Sequence, residues 1–222
     1  MTKTNQQKVK DFLINNGVII VMFILVIYTG FTSDNFFTKN NFMNILMNMS
    51  SRLVIALGIA GCVITAGCDL SAGRMIGFGA CISGMLLQRM DYSGKFFPDM
   101  QPLNVFVVAL IAMLVCAAFG TVTGFFIAYL NVPPFIATLA MMEIVYGIGL
   151  IVTNATPLGG YVEQYTNVSN GKFLGINYLI WIAIIVAAIT WFIFNMTRHG
   201  KYMYAIGGNP QAAEVAGVPV KK

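Results

Sequence analysis

Long, continuously apolar stretches alternate with short polar segments along most of the chain. Six of these stretches are long enough to be membrane-spanning helices, since such a helix needs about 20 mostly apolar residues. Their unbroken apolarity favours helices over the strands of a membrane barrel, which alternate apolar and polar positions. The pattern therefore predicts an all-α, polytopic transmembrane helical bundle of about six spans, at residues 12–32, 42–67, 72–90, 103–130, 134–153 and 176–196.

Composition and charge support a membrane protein. Of the 222 residues, 58% are hydrophobic and 9% are charged, whereas about a quarter are charged in ordinary soluble domains. The net charge of +5 could suggest a nucleic acid partner, but the basic residues are scattered and flank the apolar stretches. We therefore expect the lipid bilayer as partner and no nucleic acid. Basic residues at both ends of six crossings predict that the N-terminus and the segment after the last span are cytoplasmic.

Catalytic and metal-binding chemistry is not indicated. The four cysteines lie inside apolar stretches without a CxxC pair, and the single histidine, His199, stands beside Arg198 at the end of an apolar stretch. We interpret the cysteines as packing residues and expect no metal site and no bound cofactor. The chain has no Gly-x-x-x-x-Gly-Lys-Ser/Thr sequence, so it is not its own P-loop ATPase. No set of side chains indicates hydrolysis, and an enzyme is not predicted.

Polar residues interrupt the apolar sequence between Gly67 and Arg74. We expect the helix to break there. Non-helical backbone in a membrane is tolerated only where protein or a water-filled cavity pairs its amides, which makes the break a candidate pathway or gate element. Its candidate residues are Asp69, Ser71, Gly73 and Arg74. The alternative is a cytoplasmic turn with an aspartate cap and an arginine that reaches the interface.

Glu143 lies near the centre of the fifth predicted span. An ionisable group at that depth is costly, by about 2.5 to 3.5 kcal/mol on insertion scales, so we expect it to face the interior of the bundle. A pathway contact, a proton-binding carboxylate and a carboxylate held by a buried partner all remain open. The pair Gly120-x-x-x-Gly124 is interpreted as internal helix packing in preference to a homodimer face.

The segment at residues 197–219 contains sequence signals for both the start and the end of a short helix. Asn209 suits an N-cap, Pro210 the first helical position, and Gly217 the left-handed position after the helix. The helix so defined has about seven residues, fewer than an isolated helix needs in water. Its small side chains favour insertion into a groove of another protein over docking on its own bundle.

Two stretches resemble the permeases of bacterial monosaccharide ABC importers of the ribose and galactose type. Residues 56–74, which end in Gly67-Cys68-Asp69-Leu70-Ser71-Ala72-Gly73-Arg74, resemble the family's glycine-Asp-Leu-Ser motif. Residues 205–217, which begin Ala205-Ile206-Gly207-Gly208-Asn209-Pro210, resemble its cytoplasmic coupling motif. Within the family, residues 127–136 and 69–74 look most like the galactose/methyl galactoside type. Glu143 departs from that type, whose members look apolar there.

The resemblance implies the membrane-spanning permease subunit of an ATP-driven importer of galactose or methyl galactosides in the bacterial inner membrane. It implies a separate cytoplasmic ABC ATPase that uses the ATP, an extracytoplasmic sugar-binding protein and a second permease copy. It also implies that residues 1–222 form a single permease domain, incomplete at the C-terminus and covering about two thirds of a family member. The implied ATPase-coupling residues are Gly207, Gly208, Asn209, Pro210, Ala212, Ala213, Glu214 and Gly217.

Three other interpretations stay open at this point. The sugar could be ribose, xylose or another pentose. An ion-coupled secondary transporter would use Glu143 or Asp69 and no ATPase. A non-transporting membrane fragment would leave exposed apolar surface where further helices should pack.

Overall fold

The computed structural model describes residues 5–220, with side chains from residue 13 onward. Helices dominate this part of the chain, so the predicted all-α, polytopic bundle is confirmed. The elements are α1 Asn5–Thr32, α2 Lys39–Ile64, α3 Ala72–Leu86, α4 Val105–Leu130, α5 Pro134–Thr153, α6 Glu163–Asn170, β1 Lys172–Phe173, β2 Ile176–Asn177, α7 Tyr178–Met196, α8 Arg198–Gly208 and α9 Pro210–Val215.

Five helices of the described chain are long and apolar enough to cross a membrane: they are α1, α2, α4, α5 and α7. The predicted third span at residues 72–90 is wrong in length. Helix α3 has 15 residues and rises about 22 Å, less than the roughly 30 Å of a hydrocarbon core. It stops at Leu86 because Leu87 and Gln88 pair with a loop near residue 160 instead of continuing the helix.

The described chain forms two compact units that divide between Asn48 and Met49. In the second unit, α3, α4 and α5 pack around a core of Phe78, Ile82, Ala112, Met141 and Val145. The N–H of Leu103 donates to the carbonyl of Leu86 at 3.3 Å, which brings the start of α4 to the end of α3. Gly67 lies beside Pro134 at the other end of this group. Helix α3 therefore connects both ends of the group despite its short length.

Residues 87–104 and 154–177 fold together at one end of the second unit, and we call them the loop cap. Gln88 is only 1% exposed. Its amide donates to the carbonyl of Gly159 at 3.0 Å and accepts from the N–H of Phe96 at 2.7 Å. The ring of Tyr92 occupies the space where a side chain on Gly160 would lie, and Gly160 has a φ of +68°. One buried glutamine and one glycine thus join the two segments.

Helix α8 was not predicted, and it turns sharply away from the end of α7. Thr197 caps α8 by accepting from the N–H of Gly200 at 3.3 Å. Gly200 is buried, and a Cβ there would overlap the backbone of Phe194. Only glycine permits so tight a corner.

Two expectations about packing are not met by contacts within the described residues, and they stay predictions. Glu143 is exposed on the described chain, on the side of α5 about 200° around the helix from the buried Met141. Gly120 and Gly124 are also exposed, and no atom of the described chain lies within 4 Å of where their Cβ atoms would be. The carboxylate is costly in lipid, and the glycine pair permits close approach of another helix.

Replacing Gln88 by leucine is expected to loosen the loop cap. The leucine fills a similar volume but leaves the Gly159 carbonyl and the Phe96 N–H buried without partners, at about 1–3 kcal/mol for each group. The measurement is limited trypsin digestion in detergent, in which cleavage at Arg89 and Lys95 should become faster. Gln101→Leu, at an exposed glutamine of the same loop, is the control and should digest like the unmodified chain. Equal digestion of all three proteins would contradict this account.

Candidate functional site

The predicted punctuation of the coupling segment is confirmed. The side chain of Asn209 accepts a hydrogen bond from the N–H of Ala212 at 3.0 Å, and Pro210 opens helix α9. Gly217 has a φ of +82°, and the N–H of Val218 returns to the carbonyl of Ala213 at 2.9 Å. The helix has six residues, one fewer than expected. Local capping therefore fixes both ends of a helix that is too short to be stable alone.

Helix α9 has two different sides. Ala213 is 5% exposed, so part of the helix docks on its own chain. Ala212 and Glu214 are exposed, and Val215 is 91% exposed. Val215 is an exposed apolar side chain on a helix whose other side is docked on the chain. Such a side chain is suited to contact with another protein.

Gly207 brings α8 into direct backbone contact with the end of α2. A Cβ on Gly207 would overlap the carbonyl oxygen of Ile64 and lie 3.4 Å from the Cα of Thr65. Gly208, the next residue, has open space around its Cβ position. One turn earlier on α8, the terminal methyl of Met203 lies 3.1 Å from the Cβ position of Gly61. We call this contact between α8 and the end of α2 the α2–α8 junction.

The predicted break after α2 is confirmed, and its backbone is strained at one residue. Ala66 has a φ of +59°, a left-handed conformation in which glycine is usual after a helix and which costs other residues about 1–2 kcal/mol. The N–H of Gly67 donates to the carbonyl of Cys62 at 2.8 Å and so closes the helix end. The chain leaves α2 by a tight, fully bonded turn directly beside the α2–α8 junction.

Asp69 caps the start of α3. One carboxylate oxygen accepts from the N–H of Ser71 at 2.9 Å and from its hydroxyl at 2.6 Å. Ser71 is 4% exposed. This geometry matches the aspartate-capped turn that the sequence left open as an alternative. A role of these two residues in a pathway or gate stays a prediction.

Arg74 ties α3 to α5 through an aromatic ring. Its guanidinium carbon lies 4.0 Å from the centre of the Tyr146 ring, a cation–π contact worth about 0.5–2 kcal/mol. The pair borders a cavity of about 220 Å³ that also touches Cys81 and Thr153. Gly73 has open space around it. Glu143 lies about one turn before Tyr146 on α5 and has no hydrogen bond or ion pair to the residues that the structure describes.

A larger cavity of about 710 Å³ lies beside the α2–α8 junction. The end of α2, the following break, the end of α4 and helix α8 all contribute to its wall. Its lining includes Cys62, Thr65, Cys68, Asn131, His199, Tyr202 and Met203. The structure thus brings the start of the break and helix α8 to one place. The predicted pathway residues do not line this cavity: they are Asp69, Ser71, Gly73, Arg74 and Glu143. The contact of Gly207 with Ile64 was missed because nothing local in the sequence specifies it.

Comparison with known proteins identifies the family. A family model described as "Branched-chain amino acid transport system / permease component" matches residues 41–222. The galactose/methyl galactoside import permease protein MglC of Escherichia coli (strain K12) is 40% identical over 99% of this chain and 68% of its own length. MglC of Haemophilus influenzae is also 40% identical, over 100% of this chain and 68% of its own length.

The ribose import permease protein RbsC of Escherichia coli (strain K12) is 31% identical over 96% of this chain and 64% of its own length. No solved structure matches the chain. The five long apolar helices and these relatives make the chain a multi-pass inner-membrane protein. The chain belongs to the family of transport-system permease components, and it is a transport subunit, not an enzyme.

Proposed function

We propose that this chain is the membrane-spanning permease subunit of an ATP-driven importer of galactose or methyl galactosides. The contact that carries the mechanism is the one between Gly207 and the Ile64 carbonyl. The choice of sugar follows the relatives, since proteins named for galactose and methyl galactoside import are 40% identical to the chain and the ribose permease is 31% identical. Ribose is the second candidate on the same ground.

We assign the exposed side of α9 to the cytoplasmic ABC ATPase, which would hold and hydrolyse the ATP. The six-residue helix needs a partner to be stable, and it presents Val215 with 91% of its surface open. Removing a fully exposed valine side chain from water contributes about 1.5–3 kcal/mol. In this assignment α8 and α9 mark the cytoplasmic end of the chain. Counting the short α3 as a crossing beside the five long helices, we assign the N-terminus to the same side.

Closure of the ATPase would reach the membrane helices through the α2–α8 junction. Because Gly207 has no side chain, the backbone of α8 directly contacts the backbone at the end of α2. Close-packed atoms are hardly compressible, so a displacement of α8 is passed on to α2. The displaced element is the end of α2, which leads into the strained Ala66 and the non-helical residues after it. We include Asp69, Ser71, Gly73 and Arg74 in this gate, with Glu143 on the pathway side of α5.

The loop cap is at the opposite end of α3 from the break, and we assign it to the extracytoplasmic sugar-binding protein. Gln88 and Tyr92 make the cap a fixed surface, and fixed surfaces bind partners without an ordering penalty. Arg89 and Asp91 stand on it as an exposed ion pair at 3.6 Å. A second permease copy completes the proposed complex, supported by the uncovered face of Gly120 and Gly124.

Gly207→Ala is expected to uncouple ATP hydrolysis from transport. The added methyl group would overlap the Ile64 carbonyl, and overpacking of this kind costs about 1–3 kcal/mol, enough to separate α8 from α2. In proteoliposomes that hold the chain with its ATPase and binding protein, ATP-dependent galactose uptake should fall about tenfold while ATP hydrolysis continues.

Gly208→Ala is the matched comparison for that variant, since it adds the same methyl group into open space. It should keep most of the uptake. Equal uptake by the Gly207→Ala and unmodified complexes would refute transmission through the junction. Absence of ATP-dependent uptake by the unmodified complex, with galactose and with ribose, would refute the proposed function.

Val215→Asp is expected to weaken binding of the ATPase. A charge placed at an apolar contact must be desolvated on binding, and the lost burial of the valine side chain is worth about 2 kcal/mol, or roughly 30-fold in Kd. The measurement is titration of the purified ATPase against the detergent-solubilised chain. Val168→Asp, at an exposed valine of the loop cap, should bind the ATPase like the unmodified chain. If both variants bind alike, α9 does not carry the interface.

A further inference from the structure

Four asparagines lie in the first ten residues of α2: they are Asn40, Asn41, Asn44 and Asn48. At 3.6 residues per turn they fall within an arc of about 100°, so they form one polar side, which we call the asparagine face. The helix as a whole is apolar enough to span a membrane. Amide groups on such a helix are costly unless they have hydrogen-bond partners. A concentration of four on one side therefore requires a function or a partner.

The asparagine face borders a cavity of about 420 Å³, within the range of roughly 300–1,000 Å³ typical of small-molecule sites. Asn40, Asn41 and Asn44 line it from α2. The connection between α1 and α2 completes the wall with Ser33, Asn35 and Thr38. None of the lining residues is ionisable, so the cavity offers hydroxyl and amide groups without a net charge.

Hydrogen bonds within this wall hold part of it in place. The Asn41 amide donates to the carbonyl of Phe36 at 2.8 Å, and the Thr38 hydroxyl donates to the carbonyl of Asn35 at 2.8 Å. The side-chain amides of Asn40 and Asn44, by contrast, make no hydrogen bond to the residues that the structure describes. The Asn40 and Asn44 amides are therefore available to a ligand, and the hydrogen bonds of Asn41 and Thr38 fix the α1–α2 connection beside them.

We propose that the asparagine-lined cavity binds the hydroxyl groups of the transported monosaccharide through Asn40 and Asn44. The inference rests on the proposed function and adds the residues that touch the sugar. A side-chain amide offers both donors and an acceptor, and so does each pair of neighbouring sugar hydroxyls. A neutral wall suits a neutral solute, whereas an anionic solute would be matched by arginine or lysine. Helix α2 therefore begins at a sugar site and ends at the α2–α8 junction.

The test is ATP-dependent uptake of labelled galactose by proteoliposomes that contain the chain, its ATPase and its binding protein. Each neutral hydrogen bond contributes roughly fivefold, so the double variant Asn40→Ala with Asn44→Ala should lower uptake roughly 25-fold. ATP hydrolysis stimulated by the loaded binding protein should continue, because the α2–α8 junction is intact. Replacement of both asparagines by glutamine keeps the amides and should restore uptake to within about threefold of the unmodified complex.

Phe42→Ala is the control, since Phe42 is exposed on another side of the same helical turn, and it should transport normally. Should the double alanine variant fail to assemble, the two single alanine variants serve, each with roughly fivefold loss. Normal uptake by the alanine variants would mean that the amides are only solvated in the headgroup region, and would overturn the inference. Equal losses in the alanine, glutamine and Phe42→Ala complexes would also overturn it. No uptake by the unmodified complex would instead overturn the proposed function and the sugar assignment with it.

Discussion

Inside a hydrocarbon layer, a polypeptide must pair each backbone N–H and C=O group within itself, because no water is present to replace a lost partner. Helices α4, α5 and α7 satisfy this demand along their whole length. Two of the places where the described chain leaves the helical path are closed by specific backbone hydrogen bonds. Gly67 donates back to Cys62 after α2, and Leu103 donates to Leu86 before α4. Helices of the second unit are interrupted where the freed backbone N–H and C=O groups find other partners.

Function is proposed at one of these interruptions for the same physical reason. A continuous helix resists bending, since its hydrogen bonds would have to lengthen together. At residues 66–70 no backbone N–H donates to the carbonyl four residues earlier, and the carboxylate of Asp69 accepts from the N–H of Ser71, the residue before α3. A displacement applied there moves one helix relative to the next without breaking a ladder of bonds. The contact of Gly207 with Ile64 lies directly before this break.

Features fixed by neighbouring residues could be predicted from the sequence, and features fixed across the chain could not. The cap of Asn209, the proline after it and the left-handed Gly217 are local signals, and the structure confirms all three. The Gln88 amide, in contrast, bonds to Gly159, 71 residues away. No local sequence signal therefore marks the end of α3 at Leu86. Helix α8 carries mixed polarity and a corner glycine whose meaning depends on Phe194. The long apolar spans were predictable because the bilayer imposes their length.

Glu143 shows how the expected orientation of one side chain constrains what must pack against the chain. The sequence placed a carboxylate at the middle of a membrane helix, and the cost of exposing it to lipid predicted that it faces inward. On the described chain it faces outward, opposite the side of α5 that packs on α3 and α4. The cost itself has not changed, so in the membrane this side of α5 must face protein or water. Gly120 and Gly124 leave a similarly open side on α4. An assembly that covers both helices, as a second copy would, removes the conflict, and a chain alone in lipid would retain it.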